Sequence, residues 1–326
     1  MSLFTTYIEY LERIFGKTNL FYRANLRVYQ RARHLGLSLI NGVRSIGKKE
    51  SPVQLYYFHG KYNFGDQLNL DVMRHYDLKY AVSDIDNANL ICIGSVLDNV
   101  LLTDSKTLKH KKPIHILGAG FIIEQEDKSE RFNRPVKIHG LRGKLSFSRC
   151  QRMANDDLSN VVLGDPGLLV KRIFPDLVPK NPCDVGVICH YHDKESSYLK
   201  NIQLEGLTIK MLDVYGNTED FLKEMKGCDF IFSSSLHGLI CADALGIPNK
   251  AIILSGNVEG SGYKFRDYYS VFENMEYSPV DLRKDQIFND DLQMFRTEYK
   301  DLTSEAEIIC SRLDTVFKKV KDEILL

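Results

Sequence analysis

A chain of 326 residues exceeds one ordinary core and suits two domains of roughly 100–200 residues each. Hydrophobic residues at 44% and charged residues at 26% are the proportions of soluble globular protein, and 43 basic against 43 acidic side chains leave no electrostatic case for nucleic acid as a partner. Seven cysteines, odd in number, scattered and in part set within apolar runs, have the pattern of reduced, buried thiols and exclude a disulfide framework.

The charge is unevenly placed. Between Arg13 and Lys49 stand nine basic residues and no acidic one, while Phe4, Ile8, Leu11 and Phe15 recur at helical spacing. Residues 1–50 are therefore expected to form a basic helical arm. It either packs on its own domain or touches anionic lipid at the cytoplasmic face of the inner membrane. No apolar run approaches the ~18 residues of a membrane span, and the N-terminus lacks the features of a signal peptide, so a cytoplasmic location is expected.

From Pro52 short apolar strands alternate with helical or turn segments. Strands are predicted at Val53–Phe58, Leu90–Ile93, Ile114–Leu117, Val136–Leu141 and Val161–Leu163. Three prolines between Phe174 and Pro182 mark a linker. A second series follows with strands at Val185–Cys189, Leu207–Met211, Phe230–Phe232 and Ala251–Leu254, and helices at Glu219–Lys226 and Leu236–Leu245. From about Leu282 the pattern turns helical, with one long amphipathic helix over Ser304–Lys321. The expected organisation is an arm at 1–50, an α/β domain at 51–175, a second at 183–281, and a helical segment at 282–326. Strands alternating with helices predict parallel sheets covered on both faces, here twice.

In such sheets ligands bind beyond the carboxyl ends of the strands. Four segments occupy that position. After the first strand comes His59–Asn69, where Asn63 and Gly65 suit a tight turn and Asp66 opens a helix. Gly118-Ala119-Gly120 follows the third strand, but Ile123 stands where a dinucleotide fingerprint needs glycine, which counts against a nicotinamide or flavin site. Arg142-Gly143 ends the fourth, with Ser146 close behind; an arginine there is placed to hold a carboxylate or phosphate through two parallel hydrogen bonds. The last segment runs from a strand into Ser233-Ser234-Ser235-Leu236-His237-Gly238. A helix start there offers free N–H groups to an anion, Gly238 leaves room for a ligand, and His237 is a candidate general acid or base. His190-Tyr191-His192-Asp193 lacks further ligands at a recognisable spacing, so no metal site is expected from it.

Tyr62-Asn63-Phe64-Gly65-Asp66-Gln67-Leu68, Arg142-Gly143 with Ser146, Gly164-Asp165-Pro166-Gly167-Leu168-Leu169, and Ser234-Ser235-Leu236-His237-Gly238 with Ala244-Leu245-Gly246-Ile247-Pro248 together resemble the motif series of polysaccharide pyruvyltransferases, in order, over about residues 55–275. Ser235 stands where many members have arginine, as in the branch resembling exopolysaccharide pyruvyltransferases; Lys264 and Arg266 then offer the missing cations. The resemblance implies two Rossmann-like domains facing a cleft, as in GT-B glycosyltransferases. It also implies transfer of a pyruvyl group from phosphoenolpyruvate to a sugar of a surface polysaccharide or its lipid-linked precursor, with no cofactor. Asp66, Arg142 and His237 are the catalytic candidates it points to. Arg142, Ser234, Ser235, His237, Gly238, Lys264 and Arg266 are the donor-side candidates, and Asn63, Asp66 and His190 the acceptor-side ones. The alternatives are a nucleotide-sugar glycosyltransferase and an inactive glycan-binding member of a synthesis complex.

Overall fold

The structure is a computed structural model that describes residues 52–59, 63–102, 113–125, 130–153, 157–256, 258 and 260–325. The expected basic arm at 1–50 lies outside the described residues.

The first half of the chain runs β1 (Val53–Tyr56), α1 (Phe64–His75), β2 (Tyr80–Val82), β3 (Leu90–Ile91), α2 (Leu97–Leu101), β4 (Ile114–Leu117), β5 (Val136–Leu141), α3 (Lys144–Met153) and β6 (Val162–Leu163), then a 3-10 turn over Pro166–Leu169 and the short α4 (Val170–Ile173). The second half runs β7 (Cys183–Ile188), a 3-10 turn over Ser197–Asn201, β8 (Ile209–Met211), α5 (Thr218–Lys226), β9 (Cys228–Ser233), α6 (Leu236–Leu245), β10 (Asn249–Ile253), α7 (Tyr263–Tyr269), β11 (Val280–Asp281), α8 (Asn289–Glu298) and α9 (Thr303–Leu325).

The result is an α/β protein with two parallel sheets, as two Rossmann-like domains require. The first has six strands in the order β2-β1-β3-β4-β5-β6, and the second five in the order β11-β10-β9-β7-β8. All strand pairs in both are parallel. Counted within its own half, the first sheet follows the doubly wound order 2-1-3-4-5-6 and the second 2-1-3-4-5, so each has one switch point, between β1 and β3 and between β7 and β9. The strands are short and both faces are covered, which is why their sequences read as apolar runs, as in Ile114-His115-Ile116-Leu117, where every residue is buried.

The two sheets are joined by packing. Phe64 of α1 stacks on Phe221 of α5 with ring centroids 3.9 Å apart, and the Phe64 N–H donates to Val214 O, beyond the end of β8, at 2.9 Å. Ala306, Ile309, Leu313, Phe317 and Val320 form the buried stripe that carries α9 across β5, β6 and α6. The predicted helix over Ser304–Lys321 is therefore present and longer at both ends, whereas residues 280–281 pair as a strand on β10 before the helices begin.

Candidate active site

Both switch points open toward the same place. From the first sheet comes the start of α1. Asn63 is its N-cap: its side-chain oxygen accepts from Asp66 N at 3.0 Å, and its amide donates to the Asp66 carboxylate. The helix thus opens at Phe64, two residues ahead of Asp66, and the Asn63 side chain positions the carboxylate. Asn69, fully buried, binds Ile93 N (2.9 Å) and Ile93 O (3.1 Å), which ties α1 to the end of β3. Gly94, at φ +126°, takes a backbone conformation suited to glycine directly beyond β3, and a side chain there would face Asp66 Oδ1.

From the second sheet comes the elbow between β9 and α6. Ser234 accepts from His190 N at 2.9 Å and donates its own N–H to Ile188 O, so it fastens the end of β9 to the loop after β7. Ser235 is the N-cap of α6 by backbone geometry and forms no side-chain cap bond. His237 lies in the first turn, with its Nε2 buried and without a hydrogen-bond partner.

His237 is seated across the two sheets against Gly65, the residue that precedes Asp66. A Cβ placed on Gly65 would sit 2.2 Å from His237 Nδ1, so the imidazole lies on the bare backbone of the residue preceding Asp66. Burial dominates the electrostatics there. It raises the Asp66 carboxyl to about 7, against the opposing hydrogen bond from Asn63 and the charge of Lys264. It lowers the His237 imidazole to about 3, assisted by the positive charges of Lys264 and Arg142. Near neutral pH the pair therefore consists of a partly protonated carboxyl and an uncharged imidazole. Lys264, buried in α7, adds a cation beside both.

The geometry places three of the expected site residues in structural contacts. Arg142 does not present an open fork: it is fully buried, with Nε on Asp267 Oδ2 (2.9 Å), Nη1 on Ser95 Oγ (2.5 Å) and Nη2 on Phe121 O (2.5 Å). Ser146 completes that network, donating its N–H (2.8 Å) and hydroxyl (2.6 Å) to Asp267, while Gly143 lets the Asp267 backbone approach where any Cβ would collide. Arg142-Gly143 and Ser146 thus form a lock on α7. Arg266 turns away, to Glu124 (3.0 Å) and Ser261 O (2.9 Å), at the surface. Gly238 is required by packing of the helix on the sheet, because a Cβ there would meet Ser233 Oγ at 2.4 Å and the Ile188 side chain at 3.1 Å.

His190 stands at the rim, its ring against Tyr191 and His192 and its Nδ1 accepting from His192 N at 3.4 Å. Sequence reasoning took Gly65 only as a turn residue and missed the roles of Asn69, Gly94, Ser95 and Asp267. Asn69 closes the His59–Asn69 segment and Asp267 follows Lys264 and Arg266, yet each acts through a partner distant in sequence, which composition and spacing do not reveal.

Comparison with known proteins agrees with the motifs. The family model described as polysaccharide pyruvyl transferase matches residues 9–252. An uncharacterized protein of Acanthamoeba polyphaga mimivirus is 28% identical over 238 residues, covering 70% of this chain and 77% of its own. Among solved structures, a functionally uncharacterized protein of Klebsiella pneumoniae aligns over 82% of this chain and 97% of its own at 13% identity, with a TM-score of 0.38.

Proposed function

The chain belongs to the polysaccharide pyruvyl transferase family, and on that premise we propose that it transfers a pyruvyl group from phosphoenolpyruvate to two hydroxyls of a surface glycan or its lipid-linked precursor, forming a ketal. The observation that carries this reading is the seating of His237 on Gly65 beside Asp66, with Lys264 alongside.

Phosphoenolpyruvate brings a carboxylate and a phosphate, so its site needs positive potential from two directions. The first-turn N–H groups of α6 lack intrahelical acceptors and point along the helix dipole, which suits a phosphate. Lys264 supplies a buried cation from α7. Arg142 adds charge from beneath while holding α7 in place through Asp267.

Asp66, raised to about 7, retains a proton near neutral pH and gives it to the methylene carbon, which leaves the central carbon electrophilic. A sugar hydroxyl bonds to that carbon as neutral His237 takes its proton. The carbon–oxygen bond to phosphate then breaks, and inorganic phosphate leaves with the bonding pair. A second hydroxyl bonds to the same carbon and loses its proton, closing the ketal. One of the two hydroxyl protons ends on the new methyl group in the net balance, and the other on phosphate. Asn63 orients Asp66, and His190 at the rim is the candidate for acceptor contact.

The test is a transfer assay with phosphoenolpyruvate and a panel of acceptor glycans, read as acceptor-dependent phosphate release. Release with phosphoenolpyruvate and no turnover of nucleotide sugars is expected. Turnover of a nucleotide sugar alone would establish the glycosyltransferase alternative instead.

A further inference from the structure

We propose that His115, His139 and Glu323 form a binding site for a divalent transition metal of the zinc class, which clamps α9 onto the first sheet. The two histidines sit on neighbouring strands, β4 and β5, and Glu323 comes from the last turns of α9. His115 Nδ1 and His139 Nε2 are 3.0 Å apart, and one ligand atom from each of the three residues lies within 4.8 Å of the others.

Zinc binds imidazole nitrogen at about 2.0–2.1 Å and carboxylate oxygen at about 2.0–2.2 Å, so tetrahedral ligand atoms stand roughly 3.3 Å from one another. The ring pair is close to that separation. Its rings lie nearly parallel, at 5° with centroids 5.1 Å apart, so the nitrogens face each other across one shared proton. A metal would take the place of that proton, with each ring turning about its own Cβ–Cγ bond to aim its lone pair at it. Two imidazoles and a carboxylate are the set that zinc accepts with a water in the fourth place.

The surroundings favour this. His115 is only 7% exposed, so a metal held there would sit largely out of bulk water. Lys137 Nζ (3.4 Å) and Lys319 Nζ (4.0 Å) hold the Glu323 carboxylate near the pair. A metal must draw the carboxylate from Lys137, which makes Lys137 a competitor for the same oxygen. The site is separate from the Asp66–His237 pair: it occupies the body of the sheet beneath α9, whereas the pair hangs from the carboxyl ends of the strands.

Full-length protein stripped with chelator and titrated with zinc chloride is expected to bind one equivalent, with a rise in Tm. Cobalt as a spectroscopic probe should develop visible absorption at the same stoichiometry. His139→Ala and Glu323→Gln, both at sites open to solvent on one side, should each weaken binding at least about tenfold and abolish the Tm rise. Lys137→Ala should tighten it. Saturable binding absent from the wild type, or binding and Tm rise unchanged in both ligand variants, would overturn the assignment.

Discussion

Arg142 and Asp267 form a fully buried ion pair, Nε to Oδ2 at 2.9 Å, that joins the end of β5 in the first sheet to α7 in the second half of the chain. Every nitrogen of the guanidinium is engaged within the protein, and Asp267 also receives two bonds from Ser146. The same helix carries Lys264, so the pair fixes where that cation stands relative to Asp66 and His237.

Replacing Arg142 by Lys should therefore act first on the fold. One ammonium cannot serve Asp267, Ser95 and Phe121 O from three directions, and removing a partner from a buried pair costs about 3–5 kcal/mol. Urea unfolding is expected to record a loss approaching that scale, with turnover falling alongside. A variant of wild-type stability would mean that the lock contributes little.

His237→Asn should behave in the opposite way. The imidazole leaves a buried Nε2 without a partner, a state that costs about 1–3 kcal/mol, so removing it relieves the fold rather than weakening it. Turnover should drop by about 10²–10⁴-fold, the usual worth of a general acid or base. Tm measured beside kcat separates the two effects, and near-wild-type kcat would remove His237 from the chemistry.

Gly65→Ala tests the contact that unites the two sheets. The added methyl would enter the space of His237 Nδ1, so the imidazole must move or the helices must part. Transfer is expected to fall sharply while secondary structure, read by circular dichroism, is retained. Full activity in this variant would show that the His237 position is not critical.

Much of this was readable from the sequence, for physical reasons. Ile114–Leu117 and Leu236–Leu245 have the predicted bounds because buried strands and a buried helix leave apolar runs that end at glycine or polar turns. The short edge strands Tyr80–Val82 and Val280–Asp281 escaped notice, since a strand of two or three residues has no period to detect. His237 and Asp66 could be nominated from their helix starts, but not the way Gly65 admits the histidine. Arg142 was legible as important but its lock on α7 was not, because its acceptors Ser95, Phe121 and Asp267 come from three other segments of the chain.

Asp66 also sets a pH dependence. Its folded pKa of about 7 lies above the ordinary value of 3.8, so the folded protein takes up a proton between these limits. The associated stability is present in full below about pH 4 and is lost as pH rises through about 7. Asp66→Asn should accordingly be more stable than wild type above pH 7, by thermal unfolding, while losing transfer. In the wild type kcat should decline as pH climbs past about 7, because the acid must carry its proton. A rate that keeps rising through that region would reassign the proton donor.

The most direct measurement is the fate of the methylene carbon when transfer from phosphoenolpyruvate is run in deuterated water. Protonation of that carbon by Asp66, whose carboxyl exchanges with solvent, predicts a ketal methyl group bearing one deuterium, visible by NMR and mass spectrometry of the product. Asp66→Asn should form this product at a rate lower by about 10²–10⁴-fold. A product that keeps the carbon–carbon double bond as an enol ether, or one that gains a hexose and no pyruvyl group, would contradict the account.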